Sequence, residues 1–561
     1  MKGSPISRIR LLSKVDLIVV LLLVISLAAG LGMRRPSPPD EPRFVLAARQ
    51  MIETGEWLLP HRGIELYAEK PPVFMWIQAL TYQAVGIWEI AFLLPSLIAA
   101  LLTLGLVYSM GRGLWGPAVG RCAVLCLFTT VQFGLMAKRA QIDMVLVAMT
   151  TASLWGLVRH LLQGGSVWAL GLAGFMAGLG TVTKGVGFLP LLMLVPFFAF
   201  RNRFVSQAAA FGLRESLVIV GGFALGVAVW LGPLFYELAR QQGGEIESYA
   251  QELLFKQTAT RYVASWHHVQ PWWYFLQVIF TLWLPGALLL PFLAKLWWPG
   301  VKRFDMKTVL LLGWVVLVLI FFSVSPGKRE VYILPALPAV CLMAAPYVSS
   351  LLARRSCGRL LIAYLLVLVV ASAVAAVGLL ADQALWRKLL EGRDIAHGSQ
   401  HALGMWLLAL SVGIAAILSW TGVRRAGEAV VVSSALIWFC YGVGFMPALD
   451  PYASAAYLME RVEERLGPND QLAMIGWREQ NLLQARRPVT EFGFKAPVEE
   501  QKRRAALWIS GRPERKFILI PESEADGCIE GAGATRVGQA NRVTWLLAPA
   551  SAIGGSCSAI K

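Results

Sequence analysis

The sequence predicts an α-helical polytopic membrane protein with about 13 transmembrane helices and a small α/β domain at its C-terminus. Of its 561 residues, 57% are hydrophobic and only 15% are charged, with a mean hydropathy of +0.60. A soluble core of this size cannot bury so much apolar surface. Apolar segments of about 20 residues, the length that crosses a bilayer, recur from Val15 to Met446.

The hydropathy pattern predicts the membrane spans in order along the chain. The first has a basic lead and an apolar run longer than that of a secretory leader, so we expect a retained anchor. A weak cleavage-like stretch, Ala28-Ala29-Gly30, leaves removal as the alternative. The predicted spans are 15–33, 89–111, 117–135, 144–162, 167–183, 186–200, 215–236, 273–297, 307–324, 331–349, 360–381, 403–421 and 427–446.

Lys and Arg in alternate loops predict the orientation, because cytoplasmic loops carry an excess of these residues. One set of loops holds the N-terminus and most of the basic residues, so it is predicted to be cytoplasmic. The opposite set contains residues 34–88, 138–143, 237–272, 325–330 and 382–402. An odd number of spans places the C-terminal domain with this second set. The expected location is therefore the bacterial inner membrane, with the functional face in the periplasm.

The net charge of +17 does not predict nucleic-acid binding. Residues 451–561 contain 15 Lys and Arg against 13 Asp and Glu, so the excess lies in the membrane part. Anionic lipid headgroups are the natural partners for such charges.

The seven cysteines form no metal or disulfide framework. Five lie in or beside apolar spans, where packing is the expected role. Cys528 and Cys557 fall in the exported domain, where an oxidising compartment would permit a bridge; the bridged and free forms both stay open.

The predicted domains are a membrane domain, residues 1–446, and a soluble periplasmic domain, residues 447–561. Strand-like runs at 471–475, 516–520 and 542–547, with helical spacing over 453–466, predict the small α/β fold of the latter. Within the membrane domain, the long 34–88 loop has amphipathic stretches such as Phe44–Ile52. These features are typical of a functional segment at the membrane interface.

The first candidate site is Asp40-Glu41-Pro42-Arg43, directly after the first span. Two adjacent carboxylates followed by proline and arginine form a rigid, charged turn at the membrane surface. The structural alternative is an ordinary helix start with Asp40 as the N-cap and Pro42 in the first turn.

The second candidate, Tyr67–Pro72, has the sequence YAEKPP and leads into an apolar stretch. Its two prolines fix the backbone, so Glu69 and Lys70 are held at the edge of the bilayer. The alternative is that these charges snorkel at the end of a span.

The third candidate is Lys138–Asp143, sequence KRAQID, where an acid begins an otherwise apolar helix. An ionisable residue in such a place usually has a partner or a function. Alternatively, Asp143 complements the N-terminal dipole of its helix.

The fourth candidate is Ser325–Pro335, where Lys328, Arg329 and Tyr332 lie on a face otherwise poor in cations. That arrangement suits an anionic headgroup such as a phosphate. The segment 267–274, sequence HHVQPWWY, adds aromatic residues typical of interface anchoring and two histidines, which suit either a polar loop or metal ligation.

These motifs occur in an order that resembles the bacterial lipid A 4-amino-4-deoxy-L-arabinose transferases. The ordered set is DEPR, YAEKPP, the isolated Asp143, Thr183-Lys184-Gly185, HVQPWWY and KREVYILP. This family stands with the protein O-mannosyltransferases among the GT-C glycosyltransferases. Val186, in place of a common proline, and an extra Pro-Gly at 326–327 depart from the family pattern.

The resemblance implies an inverting transfer of 4-amino-4-deoxy-L-arabinose from undecaprenyl phosphate to a lipid A phosphate. Asp40 and Asp143 would be the catalytic residues. The implied metal ligands are Glu69 and His268, with zinc as an example of the divalent ion. The residues implied for donor and phosphate binding are Arg43, Tyr67, Lys70, Lys328, Arg329 and Tyr332.

Two alternatives remain at this point. The same fold could transfer another polyprenyl-linked sugar to a protein or glycolipid. A lipid or sugar transporter is the third possibility, but its charged groups should lie at the midplane of matched halves, and this sequence gathers them at one face.

Overall fold

The computed structural model describes residues 14–204, 210–240, 244–253, 269–390, 395, 397–510, 513–525 and 533–553. Most of these residues are helical, and a small sheet lies near the C-terminus, so the predicted fold class is confirmed. The α-helices are Lys14–Ala28, Glu41–Thr54, Val73–Val85, Trp88–Ala91, Leu94–Trp115, Pro117–Thr129, Val131–Ala137, Ile142–Leu162, Val167–Lys184, Leu194–Phe200, Leu213–Arg240, Glu245–Gln251, Tyr274–Leu282, Leu290–Lys302, Met306–Val324, Leu337–Leu352, Arg355–Leu380, Ala384–Leu390, His397–Thr421, Ala426–Cys440, Met446–Ala453, Ala456–Glu463, Glu479–Gln484 and Val498–Ile509.

Among the described residues, nine helical segments are long and apolar enough to cross a membrane, or eleven if each of two bent pairs counts as one span. Two shorter apolar helices, Asp16–Ala28 and Leu189–Phe200, lie at the first and sixth predicted positions. Helices therefore occupy all thirteen predicted positions. The chain is a multi-pass membrane protein.

The two bent pairs complete each other's hydrogen bonding at their breaks. Pro117–Thr129 and Val131–Ala137 meet at 75°, and Tyr274–Leu282 meets Gly286–Lys302 at 107°. The Val131 amide donates to the Leu284 carbonyl at 3.0 Å, and Trp283 Nε1 donates to Gln132 Oε1 at 2.7 Å. Irregular backbone at membrane depth requires such partners within the protein.

Glycines allow the helices Val167–Lys184 and Leu213–Arg240 to pack closely. Gly174 and Gly178 face the helix Leu213–Arg240, whose Gly222 and Gly226 face back. A Cβ on Gly174 would lie 2.1 Å from the Ile219 carbonyl oxygen, and one on Gly222 would lie 2.3 Å from the Gly171 oxygen. Small residues four apart on both helices thus set the contact, as in many membrane helix pairs.

The C-terminal domain is a five-stranded mixed sheet with helices on both faces. The strands are β3 Gln471–Met474, β4 Val489–Glu491, β5 Lys516–Pro521, β6 Thr535–Ala540 and β7 Val543–Pro549, in the order β4-β3-β5-β7-β6. β3 is parallel to β4 and β5, whereas β7 is antiparallel to both β5 and β6. The three predicted strand runs correspond to β3, β5 and β7; β4 and β6 were not predicted.

Side chains alternate along β3, as a sheet covered on both faces requires. Leu472 and Met474 pack with the cluster beneath the helix Ala456–Glu463. Ala473 and Ile475 pack on the other face, against the helix Val498–Ile509. The domain therefore has two apolar layers of its own.

The 34–88 segment is structured, and many of its apolar residues are buried. It contains the helix Glu41–Thr54, the helix Val73–Val85 and a hairpin of β1 His61–Arg62 and β2 Glu65–Leu66. In the first helix, Phe44 packs in the membrane core while Leu46 packs in the core of the C-terminal domain. Protein covers most apolar residues of Phe44–Ile52. The expected position of this stretch at the membrane interface stays a prediction.

A buried ion pair between Arg34 and Glu41 connects three parts of the chain. Arg34 donates to both carboxylate oxygens of Glu41, at 2.6 and 2.7 Å, and also to the Lys138 carbonyl at 3.0 Å. Glu41 further accepts from the backbone amides of Ser37 and Ala140, each at 2.9 Å. Although burial raises the pKa of Glu41, the Arg34 guanidinium outweighs it and holds that pKa below its usual range.

The described cysteines agree with a packing role. Cys341, Cys357 and Cys440 are buried, Cys122 and Cys126 are half-buried, and each of the five is a free thiol. Cys528 and Cys557 lie outside the described residues, so their pairing stays a prediction.

We expect Glu41→Ala to destabilise the protein strongly, since it leaves Arg34 buried without its counter-charge. Breaking a buried pair by removing one partner costs about 3–5 kcal/mol. Thermal unfolding of the detergent-purified protein should show a clearly lower midpoint. Glu53→Ala is the matched control on the same helix, because the exposed Arg49–Glu53 pair should contribute about 0.5 kcal/mol or less. Equal midpoints for the two variants would contradict this assignment.

Candidate active site

Asp40 occupies the predicted N-cap position, but its side chain does not cap the helix. The helix Glu41–Thr54 begins directly after it, and no side-chain cap hydrogen bond forms. Instead, Asp40 Oδ2 accepts from Gln141 Nε2 at 3.1 Å and from an Arg329 guanidinium nitrogen at 3.2 Å. The capping alternative therefore does not account for this carboxylate, which two distant loops hold in place.

Asp143 forms an ion pair with Lys184. Asp143 lies in the first turn of the helix Ile142–Leu162, and Lys184 is the last residue of the helix Val167–Lys184. Both side chains are about nine-tenths buried, and the Lys184 ammonium also lies 5.4 Å from the centre of the Tyr332 ring. Asp143 thus has a specific cationic partner beyond any interaction with its own helix dipole.

The adjacent cations Lys328 and Arg329 have different surroundings. Lys328 is buried, and its ammonium donates to the Gln270 carbonyl at 3.1 Å. Arg329 is about one-third exposed and pairs with Asp40. Although burial lowers the pKa of Arg329, the charges of Asp40 and Asp143 raise it above its usual value. Arg329 therefore binds Asp40 directly, whereas Lys328 fastens the loop to the segment before residue 274.

Arg43 belongs to a second charged cluster, which reaches into the C-terminal domain. Its Nε donates to Glu479 at 3.0 Å, and its guanidinium lies 3.7 Å from Glu69. Arg62 binds the same two acids, at 3.2 Å to Glu69 and 3.3 Å to Glu479. We name Arg43, Arg62, Glu69 and Glu479 the interdomain cluster; it contains two cations and two anions.

Tyr67 lies fully buried against the interdomain cluster. Burial raises the pKa of its hydroxyl, and the negative charge of Glu69 raises it further, although Arg43 hydrogen-bonds to it and opposes the shift. The phenol therefore stays protonated at physiological pH. It can donate a hydrogen bond but cannot act as a base.

Lys70 and Tyr332 are the further predicted site residues that the structure describes. Lys70 is half-buried directly after Glu69. Tyr332 is half-buried, with its ring centre 5.2 Å from that of Phe322. His268 lies outside the described residues, so its role stays a prediction.

The described residues do not fit a divalent metal at Glu69. Each of its two carboxylate oxygens is engaged by a guanidinium, from Arg62 or Arg43. Two adjacent cations oppose the binding of a third, and the described part of the chain has no group of three His, Cys, Asp or Glu side chains arranged for a metal.

Four residues of the site were not predicted as functional from the sequence: Gln141, Lys184, Arg62 and Glu479. Lys184 carried the clearest signal, a cation at the end of an apolar helix within the Thr-Lys-Gly motif. Gln141 stood inside a candidate motif but has no charge. Glu479 carries no local signal, because both of its arginine partners lie more than 400 residues away along the chain. Arg62 lies near its partner Glu69, but outside every candidate motif.

Comparison with known proteins confirms the resemblance drawn from the motifs. Residues 69–231 match the family described as dolichyl-phosphate-mannose-protein mannosyltransferase. The chain is 28% identical over 436 residues to undecaprenyl phosphate-alpha-4-amino-4-deoxy-L-arabinose arabinosyl transferase 1 of Pseudomonas fluorescens, covering 75% of this chain and 70% of the relative. A transferase of the same activity from Pseudomonas savastanoi pv. phaseolicola is 31% identical over 323 residues, 56% of this chain and 57% of its own length.

A solved structure shares the fold along nearly the whole chain. The crystal structure of ArnT from Cupriavidus metallidurans bound to undecaprenyl phosphate superposes with a TM-score of 0.73 at 21% identity. The match covers 96% of this chain and 98% of that chain. The membrane body and the C-terminal domain are therefore both part of the shared fold.

The Asp143–Lys184 pair should show strong coupling in a double-mutant cycle. Lys184→Met leaves a buried carboxylate unpaired and should cost about 3–5 kcal/mol of stability, whereas Lys184→Met with Asp143→Leu should recover most of the loss. Thermal unfolding in detergent measures both. Arg486→Met, at the exposed Arg486–Glu460 pair, is the control and should cost about 1 kcal/mol or less. Additive losses in the double variant would show that the two side chains do not depend on each other.

Proposed function

We propose that this chain is an inverting glycosyltransferase that moves 4-amino-4-deoxy-L-arabinose from undecaprenyl phosphate to phosphate groups of lipid A. One observation carries the proposal: Asp40 pairs with Arg329 and Asp143 pairs with Lys184, so two carboxylates from separate segments are each held by a basic side chain. The names of the relatives and the fold shared with ArnT support the choice of donor and sugar. The lipid A acceptor rests on the activity of those relatives.

The proposed site opens to the periplasm. The opposite ends of the spans carry Arg112, Arg121 and Arg159, with Lys307 bound to the Leu114 carbonyl at 2.8 Å. Because cytoplasmic loops are rich in such residues, we assign that face to the cytoplasm of a bacterial inner membrane. The donor sugar would then be transferred outside the cytoplasm.

In the proposed reaction, an acceptor phosphate oxygen attacks the anomeric carbon of the sugar. The bond between that carbon and the donor phosphate oxygen breaks, and undecaprenyl phosphate leaves with the electron pair. The leaving phosphate gains negative charge, which cations of the site stabilise. We assign this role to Arg329, Arg43 and Lys70, with hydrogen bonds from Tyr67 and Tyr332, whereas buried Lys328 positions the loop that carries Arg329.

The acceptor decides what the two carboxylates do. A lipid A phosphate is already ionised, so its attack requires no general base. Asp40 and Asp143 then orient the donor, pair with its amine and stabilise positive charge that develops on the sugar ring. An inverting displacement of this kind forms no covalent bond between sugar and enzyme.

A second candidate function is transfer of a polyprenyl-linked sugar to a protein. The match of residues 69–231 to the protein mannosyltransferase family favours it. A protein hydroxyl must lose its proton during attack, so Asp40 would then act as the general base.

Expression in a strain that lacks its own aminoarabinose transferase tests the acceptor and the sugar together. We expect mass spectra of lipid A to gain the aminoarabinose-modified species, and spectra from cells with empty vector to lack it. Sugar found on protein, with unmodified lipid A, would favour the second candidate. Immunoblots of the membrane fraction show that the chain is present, so that absence of both products counts against the proposal.

Arg329→Gln should lower transfer by roughly 10- to 100-fold, because a hydrogen bond to a charged group contributes about 1.5–3 kcal/mol. The loss should be measured as kcat/KM with purified donor. Lys307→Gln, on the opposite face, is the matched control and should keep its activity. An Arg329→Gln protein as active as the control would exclude the role assigned to this side chain.

A further inference from the structure

A carboxylate of the C-terminal domain reaches the site face of the membrane domain. Glu479 is the first residue of the helix Glu479–Gln484, and its side chain is only 8% exposed. One of its oxygens, Oε1, lies 3.0 Å from Arg43 Nε and 3.3 Å from Arg62. A single atom thus joins two arginines that precede it by more than 400 residues.

The two arginines differ in what else holds them. Arg62 is buried, with its guanidinium 3.8 Å from the centre of the Phe494 ring in the C-terminal domain. Arg43 is about one-quarter exposed. Arg62 therefore contributes to the contact between the domains. Arg43 also belongs to the interdomain cluster, but part of its side chain stays accessible.

The cluster fixes the direction of the Arg43 side chain. Its 3.0 Å contact to Glu479 is shorter than its 3.7 Å contact to Glu69. Tyr67, which hydrogen-bonds to Arg43, depends on the same placement. Without Glu479, Arg62 and Arg43 would share the single charge of Glu69, and Arg43 would lose its closest carboxylate.

We infer that Glu479 is a positioning residue through which the C-terminal domain sets Arg43 for binding the phosphate of the polyprenyl donor. The inference rests on the proposed function, since it takes Arg43 as part of the phosphate site. Glu479 acts through Arg43 and does not touch the substrate. The C-terminal domain thereby becomes a component of the donor site.

Binding of undecaprenyl phosphate to the purified full-length protein tests the inference. Glu479→Gln keeps the side-chain size but removes the charge, and its dissociation constant should rise about tenfold. In transfer assays the KM for the donor should rise by a similar factor while kcat stays nearly constant. Glu479→Asp should restore part of the affinity.

Glu463→Gln is the matched control, because Glu463 also pairs with an arginine, Arg487, within the same domain. It should leave binding unchanged. The double variant Arg43→Gln with Glu479→Gln should bind undecaprenyl phosphate no more weakly than Arg43→Gln alone. Without the Arg43 guanidinium, Glu479 has no side chain to position for the phosphate. Thermal unfolding identifies variants whose fold is lost. Binding of undecaprenyl phosphate by the double variant is then measured on the folded protein alone.

Two results would overturn the inference. The first is unchanged affinity in Glu479→Gln, and the second is a double variant in which the two losses simply add. In both cases the wild type still binds undecaprenyl phosphate, so the proposed function stands. A wild type that does not bind undecaprenyl phosphate would overturn the proposed function together with the inference.

Discussion

The buried pair between Arg34 and Glu41 is the interaction on which the site depends. Glu41 accepts five hydrogen bonds, two from Arg34, two from Ser37 and one from Ala140, and so joins the end of the first helix to the loop before Asp143. Asp40 is the neighbouring residue, so its position follows from this anchor. A charge pair removed from water pays a large desolvation cost, and the several hydrogen bonds to Glu41 offset that cost. Of the two adjacent acids, Glu41 therefore stabilises the structure, whereas Asp40 belongs to the candidate site.

Charged side chains of this protein collect where the helices end, not at mid-membrane. Asp40, Asp143, Lys184 and Arg329 come from four separate segments that meet on one face. Ionisable groups near hydrocarbon are stable only with partners, and each of these four has one. In the proposed function, the lipid-facing helices supply the apolar surface along which a polyprenyl chain lies, while the paired charges bind its phosphate. This division separates recognition of the lipid tail from chemistry at the headgroup.

The spans and most site motifs could be predicted from the sequence, because hydrophobic length and local motif order are properties of contiguous residues. The helix breaks near Thr130 and Pro285 could not, since their hydrogen bonds are made between segments about 150 residues apart. Arg43 was predicted to bind phosphate, and its pairing with Glu479 is visible only in three dimensions. Strand β4, three residues long, is too short for a periodic pattern to reveal.

The distance along the chain between Arg62 and Glu479 has a consequence for biosynthesis. The ribosome completes both arginines of the interdomain cluster more than 400 residues before their shared carboxylate. Until the last domain has been synthesised and folded, the nascent protein holds two guanidiniums against the one carboxylate of Glu69. The hairpin tip at Gly63, where a Cβ would lie 2.3 Å from Glu491, likewise acquires its neighbour only then. The enzyme therefore completes its folding only when its final segment is present, and a truncated chain inserted in the membrane is an incomplete enzyme.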